Sequence, residues 1–346
     1  MLFASAMTLQ TSSYDEALER FHATGPEFAG WLSNHGPMVV EVLSSQGRPD
    51  GIHRWVDRYL TRLDERPRGI AAIQPEAWRE YLGDPVRTGD WIDFFSREAA
   101  QRPWREVLVQ WWPRLLPGIA AGATHGVIRV GHAVEALGEI ESQPRIDELA
   151  HGLAYWAARW LPVPVVPLTG VLQPEQAIAI IPAVPVQEFG IRSRIAQLDQ
   201  TPGWGAQASQ LHAPDTEHVP AVVDALIDAA LGFYATHAHG NPTMLVHAAT
   251  APNAVRNVLP LLPRELWRPS LDAVWTATAA IVAAYRPSGA ALPPPAPADA
   301  DDLLDQAVAH GGEHVIKLAG TAVRAHRRSA SDTALSAGAN GILLDA

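Results

Sequence analysis

The chain of 346 residues is 47% hydrophobic and 18% charged, a balance that supports a packed core and argues against disorder. Its formal charge of −11 denies it the basic face that a nucleic acid or an anionic membrane requires. There is no cysteine, which excludes disulfides, iron–sulfur clusters, thiolate-ligated haem, cysteine zinc sites and thiol nucleophiles, so a metal must rest on His, Asp, Glu or something less usual.

The opening MLFASAMTLQ has no basic n-region and no long apolar stretch, so it reads as a poor secretory signal, and Met7 is an alternative initiator. Residues 1–12 are expected to be flexible. Ser13 and Glu16 fit a capping box for a helix carrying Leu18 and Phe21. Pro37 suits the first turn of a helix that stops at Gly47. In Ile52–Leu63 the apolar residues Ile52, Trp55, Val56, Tyr59, Leu60 and Leu63 fall on one face of a 3.6-residue period. Further helices are expected at about 90–101, 103–116, 118–138 and 145–161.

From Leu161 to about Val219 the prolines Pro162, Pro164, Pro167, Pro174, Pro182 and Pro185 predict extended or loop-rich chain, with Val163–Leu168 and Ala177–Ile181 as candidate short strands. Helices resume at about 219–238, 253–262 and 269–286; the proline-rich Pro287–Ala300 then acts as a stiff linker to a last long helix at about 301–327. The tail 329–346 is expected to be flexible. No apolar run reaches the roughly 18–20 residues of a spanning helix, the nearest being Ala277–Ala284, so no membrane partner and a cytoplasmic location are expected. The predicted fold is mainly α: one large multi-helix domain over 13–328 with a Pro-rich irregular segment around 161–218.

Of 26 basic residues only Lys317 is a lysine. Arginine does not lose its proton in a protein, whereas a buried lysine can, so the single lysine suggests chemistry that needs an amine. In AHGGEHVIKLAG, His310, His314 and Lys317 are four and three residues apart, which on one helix places them on one face. A buried ammonium tends to neutralise. A neutral amine can take up carbon dioxide and become a carbamate, whose oxygens can hold a metal beside His314. The plainer reading is a structural lysine paired with Glu313 or a distant acid.

Four more of the 14 histidines bear comparison with these. His35 precedes a helix start in NHGP. His125 and His132 lie seven apart in a stretch dotted with Gly118, Gly122 and Gly126, and His247 sits in an apolar run. His151 is undecided, and His22, His53, His212, His218 and His326 fall on polar faces, helix ends or loops. Singly each of these histidines suits a satisfied core position; together, in a chain without cysteine, they suggest ligands.

The segments NHGPMVVEVL (34–43), LPGIAAGATHGVIRVGHAVEAL (116–137), ELAHGLAYWAARW (148–160), MLVHAATAPNAVRNVLPLLP (244–263) and EHVIKLAG (313–320) resemble the questin oxidase family. That resemblance implies oxidative ring opening of anthraquinones and related aromatic polyketides, of Baeyer–Villiger type and requiring NADPH. It further implies a non-haem iron centre of the kind seen in a related dioxygenase, with four histidines and a carbamylated lysine. Carried onto this chain, Fe(II) would be held by Lys317, His314, His35, His125, His132 and His247. That is one histidine more than the family pattern, with His125 and His132 the pair most expected to divide between ligand and neighbour; His310 is in reserve.

Asn34, Thr124 and Glu41 are candidates to fix the ring nitrogens. Trp111, Trp112, Tyr155, Trp156 and Trp160 are candidates to line a flat pocket for a polycyclic ring, or plain core. Flavin is not supported: the glycine run at Gly203, Gly205 and Ala208 follows no strand, and nothing marks a nucleotide site for NADPH. The expected partners are an aromatic substrate and dioxygen, and a homodimer suits a helical domain of this size. Two other readings stand: a carbamylated-lysine metallohydrolase using His237 and His239, and a non-catalytic helical binding protein.

Overall fold

A computed structural model describes residues 13–345; the expected flexible segment 1–12 lies outside them. The mainly helical class expected from the sequence is what the structure has, and its contacts divide the chain at Pro162/Val163 into two compact units.

The first unit begins with α1 (residues 13–22) and a two-stranded antiparallel hairpin, β1 (Glu27–Phe28) with β2 (Leu32–Ser33). Then follow α2 (Gly36–Ser45), α3 (Ile52–Leu60), α4 (Thr88–Gln101), α5 (Trp104–Leu115), α6 (His125–Glu139) and α7 (Gln143–Ala158). The stripe read in α3 behaves as the period demands: Ile52, Trp55, Val56 and Tyr59 are buried while His53, Arg54, Asp57 and Arg58 face solvent. Helix α7 packs against α4 and α6, and α2 lies on α6. The helix expected from 118 starts only at His125, because Gly122, Ala123 and Thr124 take left-handed φ of 53°, 56° and 70° and cannot continue a right-handed helix.

Charge is buried inside this unit. Arg129 of α6 donates from Nε and Nη2 to Glu148 of α7 at 2.5 and 2.8 Å, and His22 Nε2 reaches the same carboxylate at 2.9 Å. His22 also packs on the His151 ring, with centroids 4.4 Å apart. Neither histidine is the polar-face or undecided residue of the sequence reading.

The second unit contains the short helices α8 (Pro174–Ile180), α9 (Ile191–Ile195) and α10 (Trp204–Ala208) within the irregular segment. Ala177–Ile181 is therefore not a strand: Pro174 opens a helix there, and Gln173 and Gln176 form its capping box. Val163–Leu168 is not a strand either; the extended contacts lie just beyond it, as bridges from Gly170 to His212 and Leu172 to Leu211. The long helices follow: α11 (Val219–His237), α12 (Pro242–Val258), α13 (Trp267–Tyr285), α14 (Ala300–His310), α15 (Glu313–Ser329) and α16 (Asp332–Leu343).

Four expectations change here. Helix α12 begins at Pro242 rather than near 253 and runs through Pro252. A proline inside a helix strips the carbonyl four residues earlier of its partner; that carbonyl, on Ala248, accepts instead from the Thr278 hydroxyl of α13 at 3.4 Å. The last long helix is two, broken at Gly311, whose φ of 80° is left-handed. The tail is no flexible end: α16 buries Ala334, Leu335, Ala337 and Gly338, and its small residues allow close packing on α11 and α15. Finally, the helix spanning Thr216–Gly240 is long and apolar enough to cross a membrane by length and composition. Its apolar side is occupied by packing against α8, α12, α13 and α16, and its Asp224 and Asp228 pair with Arg256 and Arg328.

Burial pulls the Glu148 carboxyl upward, but the Arg129 charge and the bonds from Arg129 and His22 outweigh it and hold the group at about 2. Its contribution to stability is complete above the ordinary 4.5 and disappears as pH falls toward 2. Glu148→Ala strands Arg129 and is expected to cost about 3–5 kcal/mol at neutral pH. Denaturant titrations between pH 7 and pH 2 should show the variant losing this acid-sensitive part of the curve; an unchanged curve would remove the network from the fold's supports.

Candidate metal centre

In the first unit the chain aims two imidazoles at each other. Asn34 ties down the approach: its Oδ1 accepts from Gly36 N at 2.8 Å and its Nδ2 donates to Gly25 O at 3.1 Å. His35 follows as the residue capping α2, with its backbone N–H donating to the Tyr59 hydroxyl at 2.7 Å and its Nδ1 3.5 Å from the same oxygen. Gly36 is required at the helix start, since a Cβ there would stand 2.4 Å from the Phe21 ring. Opposite, the left-handed turn Gly122–Thr124 delivers His125 at the first position of α6. Left-handed φ on Ala123 and Thr124 is costly, and such strain persists only where surrounding structure holds it.

His125 Nδ1 lies 2.5 Å from Gly122 O. A carbonyl only accepts, so Nδ1 carries the proton and the neutral ring presents Nε2 as a lone pair. That Nε2 meets His35 Nε2 at 2.7 Å. His132, two turns further along α6, goes elsewhere: its Nδ1 bonds Glu41 Oε2 at 2.5 Å, with both side chains buried. Of the proposed ring-fixing residues, Glu41 thus bonds a ring, Asn34 shapes backbone, and Thr124 donates its hydroxyl to Ala123 O at 2.5 Å.

In the second unit α12 packs against α15. His247 of α12, 0% exposed, and His314 in the first turn of α15 bring their Nε2 atoms to 3.4 Å. One turn on, Lys317 is also 0% exposed, and its Nζ has no hydrogen-bond partner among the described residues. Burial drives the amine down from its ordinary 10.5 to about 7, against a smaller opposing pull from Glu313. His310 does not share this face, because the break at Gly311 puts it on α14, where Nε2 pairs with Asp345 at 3.0 Å.

These donors fit a divalent first-row metal: ring nitrogens that meet through Nε2, and a buried amine whose polar atom is unsatisfied. Two ligands near 2.1 Å from one ion and at right angles would stand roughly 3 Å apart, the scale of both imidazole pairs.

The nominated aromatic residues serve the core. Trp111 is surrounded by Trp78, Trp91, Phe94 and Phe95 at centroid distances of 4.8–5.9 Å. Trp112 and Trp156 pack edge to face, and Trp156 donates to Gly118 O at 3.0 Å. The Tyr155 hydroxyl bonds Ser33 Oγ at 2.6 Å, and Trp160 covers Gly118 so closely that a Cβ there would clash. Trp111, Trp112, Tyr155 and Trp156 are buried, which fits the plain-core alternative, and Trp160 is partly exposed. His237 and His239 are likewise no barrel pair: His237 stacks on Phe233 at the end of α11, and His239 is exposed in the turn beyond.

The sequence reading missed Tyr59, which looked like one more member of an apolar stripe, and the Gly122 carbonyl, which leaves no sequence signal. It also passed over Thr321, four residues beyond Lys317 on the same helix.

Two helical units, each turning a pair of imidazoles toward one another, define an all-α protein with a metal-type donor set. Residues 35–165 match the family model described as Questin oxidase-like. The match supports the resemblance read from the sequence and points to an oxidoreductase; it spans His35, His125 and His132 and ends before His247, His314 and Lys317. No curated protein matches the chain.

Gly36→Ala drives a methyl into the Phe21 ring, so α1 or the start of α2 must move. A loss of about 1–3 kcal/mol is expected, read by thermal unfolding; a variant as stable as the parent would show that the turn carrying His35 has slack.

Proposed function

We propose that this protein is a non-haem iron oxygenase that oxidatively opens a ring of a polycyclic, anthraquinone-like polyketide. The observation that carries this reading is the sealed, partnerless amine of Lys317 one turn from His314, whose ring meets His247. The family match over residues 35–165 supplies the direction toward oxidation. The proposed ligands are His35, His125, His247, His314 and Lys317 as its carbamate, with His132 held by Glu41 as neighbour. When bound, Fe(II) supplies the one-electron chemistry by which dioxygen reacts with an electron-rich aromatic.

The chain's own residues do the preparatory work. The Gly122 carbonyl holds the His125 tautomer, Glu41 holds that of His132, and Tyr59 anchors the backbone of His35. The interior around Lys317 lowers the amine to about 7, so that a large share lacks the proton near neutrality, the state that takes up carbon dioxide. NADPH as reductant is part of the proposal only through the family resemblance.

Elemental analysis of protein purified without added metal should find iron. Lys317→Met, which keeps the apolar stem and removes the amine, should fold with undiminished stability and lose iron at least tenfold. Turnover of an anthraquinone-type substrate under labelled dioxygen should place label in the product. Iron retained by Lys317→Met, or zinc in place of iron, would sink the reading.

A further inference from the structure

Hydroxyl groups inside helices usually satisfy themselves locally, on the carbonyl one turn back. This protein follows the habit. Thr236 donates to Gly232 O at 3.2 Å, Thr250 to Val246 O at 3.1 Å, and Thr276 to Asp272 O at 2.8 Å. Ser270 and Ser329 do the same, to Leu266 O at 2.7 Å and Ala325 O at 3.0 Å.

Thr321 departs from it. The residue is 1% exposed, in the middle of α15, and its Oγ1 has no hydrogen-bond partner among the described residues. The local acceptor four residues back would be the carbonyl of Lys317, and the hydroxyl does not take it. On the same helix and four residues away, hence on the same face, Lys317 Nζ is also buried and without a partner. Two orphaned polar atoms on one buried face are seldom tolerated. A hydroxyl lacks an acceptor and an amine lacks a group to bind, and one addition to the amine answers both.

We propose that Thr321 is a positioning residue for Lys317: its hydroxyl donates to one oxygen of a carbamate formed on Nζ and holds that carbamate in place. In the step itself the amine lone pair forms a bond to the carbon of carbon dioxide, one C–O π bond opens to give the carboxylate, and one amine proton leaves to water. The product keeps a single N–H and gains two acceptor oxygens. One accepts from Thr321, leaving the other for a metal. This inference rests on the carbamate reading of Lys317, and its test separates the two.

The unaltered protein, Thr321→Val, Thr321→Ser and Lys317→Arg are titrated with 13C-labelled carbon dioxide and followed by 13C NMR, with iron retention against a chelator as a second readout. The unaltered protein should give a carbamate signal that Lys317→Arg lacks. Thr321→Val, which keeps the shape and removes the hydroxyl, should need about tenfold or more carbon dioxide for the same occupancy and lose iron correspondingly faster. Thr321→Ser should restore both. Should Thr321→Val not fold, Thr321→Ala against Thr321→Ser decides in the same sense. Equal uptake with and without the hydroxyl overturns the role of Thr321 while leaving the carbamate standing. Absence of any signal in the unaltered protein overturns both.

Discussion

A primary amine enclosed by helix and given nothing to bond is the constraint around which the second unit is arranged. Helix α15 buries Val315, Ile316, Leu318, Ala319, Ala322 and Val323, so the apolar gain of docking the helix carries Lys317 inward with it. Once inside, the charged form loses hydration that the Glu313 charge only partly offsets, and the amine falls to about 7. The reactive state of the amine is thus a consequence of where the helix packs. The same packing places His314 in the first turn of α15, against His247 of α12. Pro252 would cost α12 a backbone bond just past that histidine, and Thr278 closes the gap from α13.

The first unit reaches a similar end by a different route. There the histidines are aimed by backbone conformation. Three consecutive left-handed residues bring the Gly122 carbonyl under the ring of His125, and that carbonyl decides which nitrogen keeps the proton. On the opposite side a glycine with no room for a methyl, an asparagine bonded fore and aft, and a tyrosine hydroxyl fix the turn that carries His35. Strain and tight steric fit are expensive, and their concentration beside two converging rings is the pattern of a built site.

Much of this was legible before any coordinates. The 3.6-residue period located α3 through its one apolar face, and the helices expected at about 90–101, 103–116, 145–161, 219–238 and 269–286 are present as α4, α5, α7, α11 and α13. The lone lysine and His314 were legible because residue type and spacing alone put them on one helical face. What escaped depends on tertiary partners. Proline inside α12 costs a backbone bond, and the Ala248 carbonyl it frees takes a hydroxyl from another helix, a partner that local sequence does not reveal. The Gly311 break looks like continued periodicity until its left-handed φ is known, and it moved His310 out of the cluster. Small residues in α16 looked like frayed chain, whereas smallness is what lets that helix pack against α11 and α15. The aromatic run from Trp111 to Trp160 could be pocket or core, and only the neighbours of each ring distinguish the two.

The directions of the imidazoles bear most on whether these histidines are packing residues. A histidine that merely completes a core spends its ring nitrogens on acceptors already present, as His22 does on Glu148. In His125 and His132 an acceptor of the chain likewise takes one nitrogen, here Nδ1: a carbonyl in one case and the Glu41 carboxylate in the other. In the neutral form of each ring that bond places the proton on Nδ1, on the side away from Nε2. The His35–His125 and His247–His314 pairs then meet through Nε2 on both members. A proton on one of the two nitrogens makes each contact a hydrogen bond, and a metal ion between them would serve as well. The His35–His125 contact is buried and the His247–His314 contact part-buried, and the amine of Lys317, which burial lowers to about 7, lies one turn from the second pair.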